Sequence, residues 1–294
     1  MRSEQFQLHA EIEQRHWWFL GRRQIMRRLV HAILPPSAAN PATIVDVGCG
    51  TGANLAALVN DYRCVGIDTS DEAIALARGR FPEATFLTGR APADLGSVVP
   101  QARLLMLMDV LEHVADDFAL FSELLAAVVP GTFFLLTVPA DESLWSAHDE
   151  SFGHYRRYDR ARLERLWAGL PVSTLLLSCF NARLLPLIKM IRGWTRRSGH
   201  AAGRAGTDFW IPRRPLNGAL QAVLAGEANR LVNVLNGRRG NGYARGSSLI
   251  ALLRRNTGPI AIRWKPANLP PDHQPRQIAQ ENTAAVLSEA IGLR

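Results

Sequence analysis

Short apolar runs alternate with amphipathic stretches along most of the chain. Ile44, Val45 and Val47 form one such run, fenced by the Pro35, Pro36 and Pro41 breakers. That composition is expected of a strand buried on both faces of a parallel sheet. Comparable runs lie at 63–68, 84–88, 103–108, 131–138 and 172–179, and 247–253 reads as a last strand. Between them, 53–59, 73–80, 116–129 and 160–168 have helical spacing, and Thr69-Ser70-Asp71-Glu72 supplies a helix start. Strand–helix alternation of this regularity predicts an α/β, doubly wound sheet with right-handed crossovers. Ligands of such sheets bind outside the carboxyl ends of the strands.

Three segments fall outside this alternation. Residues 1–36 predict a helical leader centred on His16-Trp17-Trp18-Phe19-Leu20-Gly21-Arg22-Arg23, either anchored to the core by its indoles or acting as a lid. Residues 37–254 form the sheet domain, interrupted at 181–246 by a basic helical insertion. In it Leu184, Leu187, Ile188, Ile191 and Trp194 share one helical face while Lys189, Arg192 and Arg196 take the other. Residues 255–294 read as an extension, with Pro266, Pro270, Pro271 and Pro275 in an extended linker and a short helix at 283–291.

Charge sharpens the contrast between the halves. Residues 1–150 carry 11 Lys/Arg against 19 Asp/Glu, whereas 151–294 carry 23 against 7. Such asymmetry suits an anionic acceptor or membrane surface, or is simply a solvated arginine-rich face. Arg204, Arg213, Arg214, Arg238 and Arg239 add to it, yet no aromatic-interleaved basic patch suggests nucleic acid. The three cysteines, Cys49, Cys64 and Cys179, make no C-x-x-C pair and point to a reducing compartment. The polar start and the interrupted apolar run at 172–191 predict neither signal peptide nor spanning helix. A cytoplasmic protein, with peripheral contact at the inner membrane, is the expectation.

The candidate chemistry begins where the first strand meets Gly48, Gly50 and Gly52, which precede the stretch from Ala53 that reads as a helix. Glycines there admit a ligand close to the backbone, and a helix N-terminus would offer free N–H groups. Gly48-x-Gly50-x-x-Ala53, followed by Asp68, satisfies a dinucleotide fingerprint. Asp46-x-Gly48-x-Gly50-x-Gly52 resembles more closely motif I of the class I S-adenosylmethionine-dependent methyltransferases. Asp109-x-Leu111-Glu112-His113-Val114 is similar to the segment after the fourth strand in the ubiquinone-biosynthesis type. The His16-Trp17-Trp18-Phe19 leader and the loop from Leu144 to Tyr158 resemble one branch of that group.

The resemblance covers about residues 11–254 and implies a Rossmann-like seven-stranded sheet whose last strand returns antiparallel. It implies S-adenosylmethionine as cofactor and transfer of its methyl group to an oxygen or nitrogen, less readily a carbon. Asp46 would face the methionine ammonium and Asp68 the ribose. Cys49, Thr69, Arg90, Ala91, Asp109, Val110 and His113 would complete the cofactor wall, with Trp18 and Arg23 closing it from the leader. His148 is the first choice as base, because an imidazole suits proton removal near neutrality; His154 and Tyr158 are the second choices. His148, Asp149 and His154 lack the fixed spacing of a metal site, so no metal is expected. The acceptor is expected to be a small or lipid-linked, anionic molecule, and the protein a monomer or homodimer. A dehydrogenase and a nucleic-acid-binding protein are the competing readings.

Overall fold

The computed structural model describes residues 3–198, 210–238 and 240–260. Two leader helices, α1 (Ser3–Arg15) and α2 (Trp17–Ile33), precede β1 (Thr43–Val47). Then follow β2 (Arg63–Asp68), α3 (Asp71–Arg80), β3 (Thr85–Thr88), α4 (Val98–Gln101), β4 (Ala102–Met108) and α5 (Asp117–Ala127). Next come β5 (Phe133–Pro139), α6 (Ala147–Ser151), α7 (Arg160–Arg165) and β6 (Val172–Phe180). The insertion holds α8 (Leu185–Ser198), α9 (Arg214–Ala225) and α10 (Ala228–Leu235), and β7 (Ser248–Arg255) closes the fold.

The seven strands lie in the order β3-β2-β1-β4-β5-β7-β6. β7 runs antiparallel between β5 and β6, pairing Leu136 with Ala251 and Leu177 with the same residue. The period of two along the strands divides the core. Ile44, Leu104, Met106, Leu135, Ile250 and Leu252 face α2, α3, α9 and α10, whereas Val45, Leu105, Leu107, Phe134 and Leu253 face α5 and α7. Central strands therefore read as unbroken apolar runs, because neither side meets water.

The leader is helical, and one expected helix is missing. The leader is broken into two helices at His16, whose extended backbone (φ −77°, ψ 132°) and Nδ1 cap α2 by accepting the Trp18 N–H at 3.2 Å. No α-helix follows β1: Leu55–Ala57 is a single 3-10 turn. A helix this short has to be held by tertiary packing rather than by its own propensity. Leu55 and Leu58 are buried in the cluster that contains Ile25, Met26 and Leu29 of α2, so the leader helps cover the face a crossover helix would have covered.

The leader also grips the insertion. Asn217 of α9 accepts the Trp17 N–H at 3.0 Å and donates to the Arg15 carbonyl at 2.8 Å. A Cβ on Gly21 would stand 2.9 Å from Leu224 Cδ2, so the α2–α9 crossing is close. Leader and insertion, distant in sequence, thus form one helical cap. The proline-rich linker, the helix at 283–291, Arg204, Arg239 and the side chains of Trp194 and Arg196 lie outside the described residues.

Candidate active site

A crevice of about 1160 Å³ opens at the carboxyl ends of the strands, between sheet and cap. Its floor is the turn after β1. Gly48 (φ +69°) and Gly50 (φ +52°) take left-handed conformations that favour glycine. A Cβ at Gly48 would meet Val110 at 2.7 Å, whereas one at Gly50 would have nothing within 4 Å. Gly48 thus packs the wall and Gly50 leaves room against it. Asp68 Oδ2 accepts the Gly50 N–H at 2.9 Å and Oδ1 that of Ser70 at 3.0 Å. Each oxygen keeps lone-pair capacity for a diol.

Arg22 bridges cap and floor. It donates to Asp109 Oδ2, gives a second bond to Asn54 Oδ1 at 3.1 Å, and lies 4.5 Å over the Trp18 ring. Thr137 holds the other Asp109 oxygen at 3.1 Å, so the carboxylate at the end of β4 is fixed from both sides. Glu13 of α1 accepts the Thr51 hydroxyl at 2.5 Å and the Arg80 guanidinium, fastening the first leader helix to the glycine turn.

The opposite end is built by the loop after β5, around buried Asp149. Burial alone would raise its carboxyl, yet His154, Arg157 and Arg192 hold it well below the usual range. Arg157 pairs with both oxygens, at 2.8 and 3.1 Å, and His154 Nδ1 lies 3.0 Å from Oδ1. His148 stacks on Phe152 with ring centroids 4.6 Å apart. Burial, with Arg192 adding to it, pushes its imidazole down to about 3, so it stays neutral at physiological pH and binds a proton weakly. Arg192, expected on the helical face opposite Leu184 and Ile188, donates to the Leu144 carbonyl and approaches Asp149 at 3.7 Å.

Most of the expected residues share this crevice: Trp18, Gly48, Cys49, Gly50, Asp68, Thr69, Arg90, Ala91, Asp109, Val110, His113, His148 and His154. Four do not line it. Asp46 is wholly buried behind the floor, where Asn54 Nδ2 donates to it at 3.4 Å and burial pushes its carboxyl up to about 7. Gly52 has its Cα packed on Phe86, 2.8 Å from where a Cβ would stand. Arg23 is not among the lining residues and lies in the field of Glu13 and Arg80, whereas its neighbour Arg22 reaches the crevice. Spacing could have found this, since Trp18 and Arg22 stand i, i+4 on one helical face. Tyr158 is buried with its hydroxyl donating to Asp117 at 2.6 Å, in the core on the far side of the sheet. Tyr158→Phe should therefore lower stability by about 1 kcal/mol in denaturant titration and leave turnover per folded molecule unchanged.

A family model described as a methyltransferase domain matches residues 18–180 of the 294. The chain belongs to the methyltransferase-domain family. A trans-aconitate 2-methyltransferase of Azoarcus sp. strain BH72 is 34% identical over 103 residues, covering 33% of this chain and 39% of the relative. A ubiquinone biosynthesis O-methyltransferase of Methylobacterium sp. strain 4-46 is 34% identical over 110 residues, covering 36% and 44%. The chain thus spans about two fifths of the curated relatives' length. Among solved structures, the plantazolicin methyltransferase BpumL in complex with SAH superposes at a TM-score of 0.51, with 14% identity over 87% of this chain and 89% of that one. That likeness shows the fold, and the sheet order and antiparallel last strand agree with it.

His16 gives the chain a testable pH response. Burial lowers its imidazole to about 4, against an opposing bond to the Trp210 backbone. Below pH 6.5 the unfolded chain takes up a proton that the folded chain refuses until about pH 4, so this contribution to stability is full above 6.5 and lost as pH falls. His16→Asn keeps an acceptor for the Trp18 N–H without titrating. Its melting temperature should fall less than the wild type's between pH 7 and 5, as read by calorimetry.

Proposed function

We propose that this chain is an S-adenosylmethionine-dependent methyltransferase acting on an oxygen or nitrogen nucleophile of a hydrophobic small-molecule or lipid-linked acceptor. The two-part lining of the crevice supports this reading most. One end offers glycine backbone, the Asp68 carboxylate and the Arg90–Ala91 loop; the other is walled by Leu184, Leu187, Ile188, Ile191, Trp210 and Leu216. Of these, Leu187, Ile191, Trp210 and Leu216 are exposed at 38–59%, although a helix usually buries such a stripe. An apolar acceptor lying along α8 and α9 would cover them. Arg213 and Arg214 at the start of α9 add positive charge for an anionic headgroup. No helix among the described residues is long and apolar enough to cross a membrane.

The residues suit the cofactor on their own chemistry. Asp68 would take the ribose hydroxyls, and the buried Arg22 guanidinium, reaching the crevice between Trp18 and Asp109, would face the amino-acid carboxylate. When bound, the cofactor supplies a methyl on a sulfonium, whose C–S bond breaks as the nucleophile's bond to that carbon forms. The chain's own work is alignment and exclusion of water, both achieved by the cap. Neutral His148 would hold the nucleophile's hydroxyl or amine by a hydrogen bond, beside His154, which Asp149 orients. A dehydrogenase reading has no use for the apolar half or for the imidazoles opposite the glycine turn.

The test is incubation of the purified protein with methyl-labelled S-adenosylmethionine and a fractionated cell extract, followed by mass spectrometry. A methylated product should appear in the lipid-soluble fraction. Label confined to nucleic acid, or found nowhere while NAD is reduced, would refute the proposal.

A further inference from the structure

The crevice contains a group that the alignment role leaves without a partner. Glu112 is fully buried in the turn after β4, and among the described residues neither of its carboxylate oxygens meets a hydrogen-bond partner from another side chain or the backbone of another residue. An orphaned buried carboxylate is costly unless it meets a cation or a donor. The cationic side chains nearest in charge are Arg22 and Arg157, and both are engaged elsewhere: Arg22 by Asp109, Arg157 by Asp149. One ligand-capable atom from each of Glu112, His113 and His154 lies within 4.8 Å of the other two.

We propose that Glu112, His113 and His154 form a site for a divalent transition-metal cation of the zinc, iron or manganese class. Two imidazoles and one carboxylate suit such ions, whereas magnesium and calcium prefer oxygen throughout. The surroundings are those of a metal site. His154 has one ring nitrogen held by the Asp149 carboxylate at 3.0 Å, and His113 has a hydrogen bond to the Phe152 backbone. Carboxylate or carbonyl partners of this kind fix the ring and leave the other nitrogen for a ligand. The two rings meet edge to face at 4.6 Å. Ligand bonds of about 2.1 Å require the three atoms to draw together slightly, and His113, exposed to the crevice, has the freedom to do so. Asp149, which stands in sequence beside His148 and near His154, is the orienting partner rather than a ligand, and Glu112 comes from the turn after β4.

Three protein ligands leave positions open toward the crevice. A hydroxyl of the acceptor bound there would give up its proton to water in the crevice more readily, and the resulting oxyanion would take the methyl as its C–S bond breaks. This role rests on the proposed methyltransferase reading; the metal site itself does not.

The experiment is titration of the full-length, chelator-treated protein with Co2+ and Zn2+, read by calorimetry and by visible Co2+ absorption, alongside S-adenosylmethionine titration of the same samples. One equivalent of Co2+ should bind, and Glu112→Gln and His113→Ala should each weaken binding at least ~10-fold, the scale on which even orienting partners act. Circular dichroism and a cooperative thermal transition show that the variants fold. Equal Co2+ affinity in wild type and both variants overturns the site, as does an absence of Co2+ and Zn2+ binding by a wild type that binds the cofactor. Metal binding without cofactor binding leaves the site standing and refutes the methyltransferase reading instead.

Discussion

Gly50→Arg is expected to lower S-adenosylmethionine affinity by more than ~100-fold, a loss of about 2.7 kcal/mol, while the chain stays folded. The position separates binding from stability. No atom lies within 4 Å of where its Cβ would stand, so the new side chain enters the crevice rather than the core. The backbone cost comes from φ +52°, and a left-handed residue with a side chain loses about 1–2 kcal/mol. Domains of ordinary stability absorb that loss. Calorimetric titration reads the first effect and thermal denaturation the second. Full affinity in a folded Gly50→Arg protein would place the cofactor elsewhere.

Arg157→Leu is expected to have the larger effect on stability, about 3–5 kcal/mol in denaturant titration. Arg157 makes a two-point contact with a carboxylate that is wholly buried, and it also donates to the Ala140 carbonyl at 2.9 Å. Removing it leaves Asp149 charged and short of donors, with His154, the Ser146 N–H and hydroxyl and distant Arg192 to answer it. The double variant Arg157→Leu, Asp149→Leu should recover part of the loss, since both charges then leave the interior. An additive double variant would show that the pair is not coupled.

The sheet was legible because its strands are buried on both faces, so each appears as a run of Ile, Val, Leu and Met closed by a polar or glycine signal. Arg63–Asp68 agrees with its strand end for end, and Ser70 caps α3 as its sequence suggests. The glycine turn, Asp68 and Asp109 were legible for a related reason: strand ends in this fold deliver side chains to one edge. The missing helix after β1 was not, because Leu55, Leu58 and their neighbours carry helical spacing whether a helix forms or α2 packs over them instead. Asp46 was misplaced because a carboxylate at a strand end points to the crevice or behind it according to the pleat. The loop after β5 misled in another way. Its histidines, arginines and Tyr158 read as reactive, yet Arg156, Arg157 and Tyr158 are consumed by Asp117 and Asp149, partners that spacing alone does not reveal. The pairing of leader with insertion is a contact between residues some 200 positions apart and leaves no periodic trace.

The central claim is that the crevice beneath the helical cap holds S-adenosylmethionine with its methyl toward the histidine cluster. A crystal structure of the protein with S-adenosylmethionine tests this most directly. The ribose should lie on Asp68, the amino-acid carboxylate near Arg22, and the sulfonium methyl should face the end of the crevice that contains His148 and His154. A nucleoside bound outside the crevice, or one whose methyl faces away from that cluster, would contradict it.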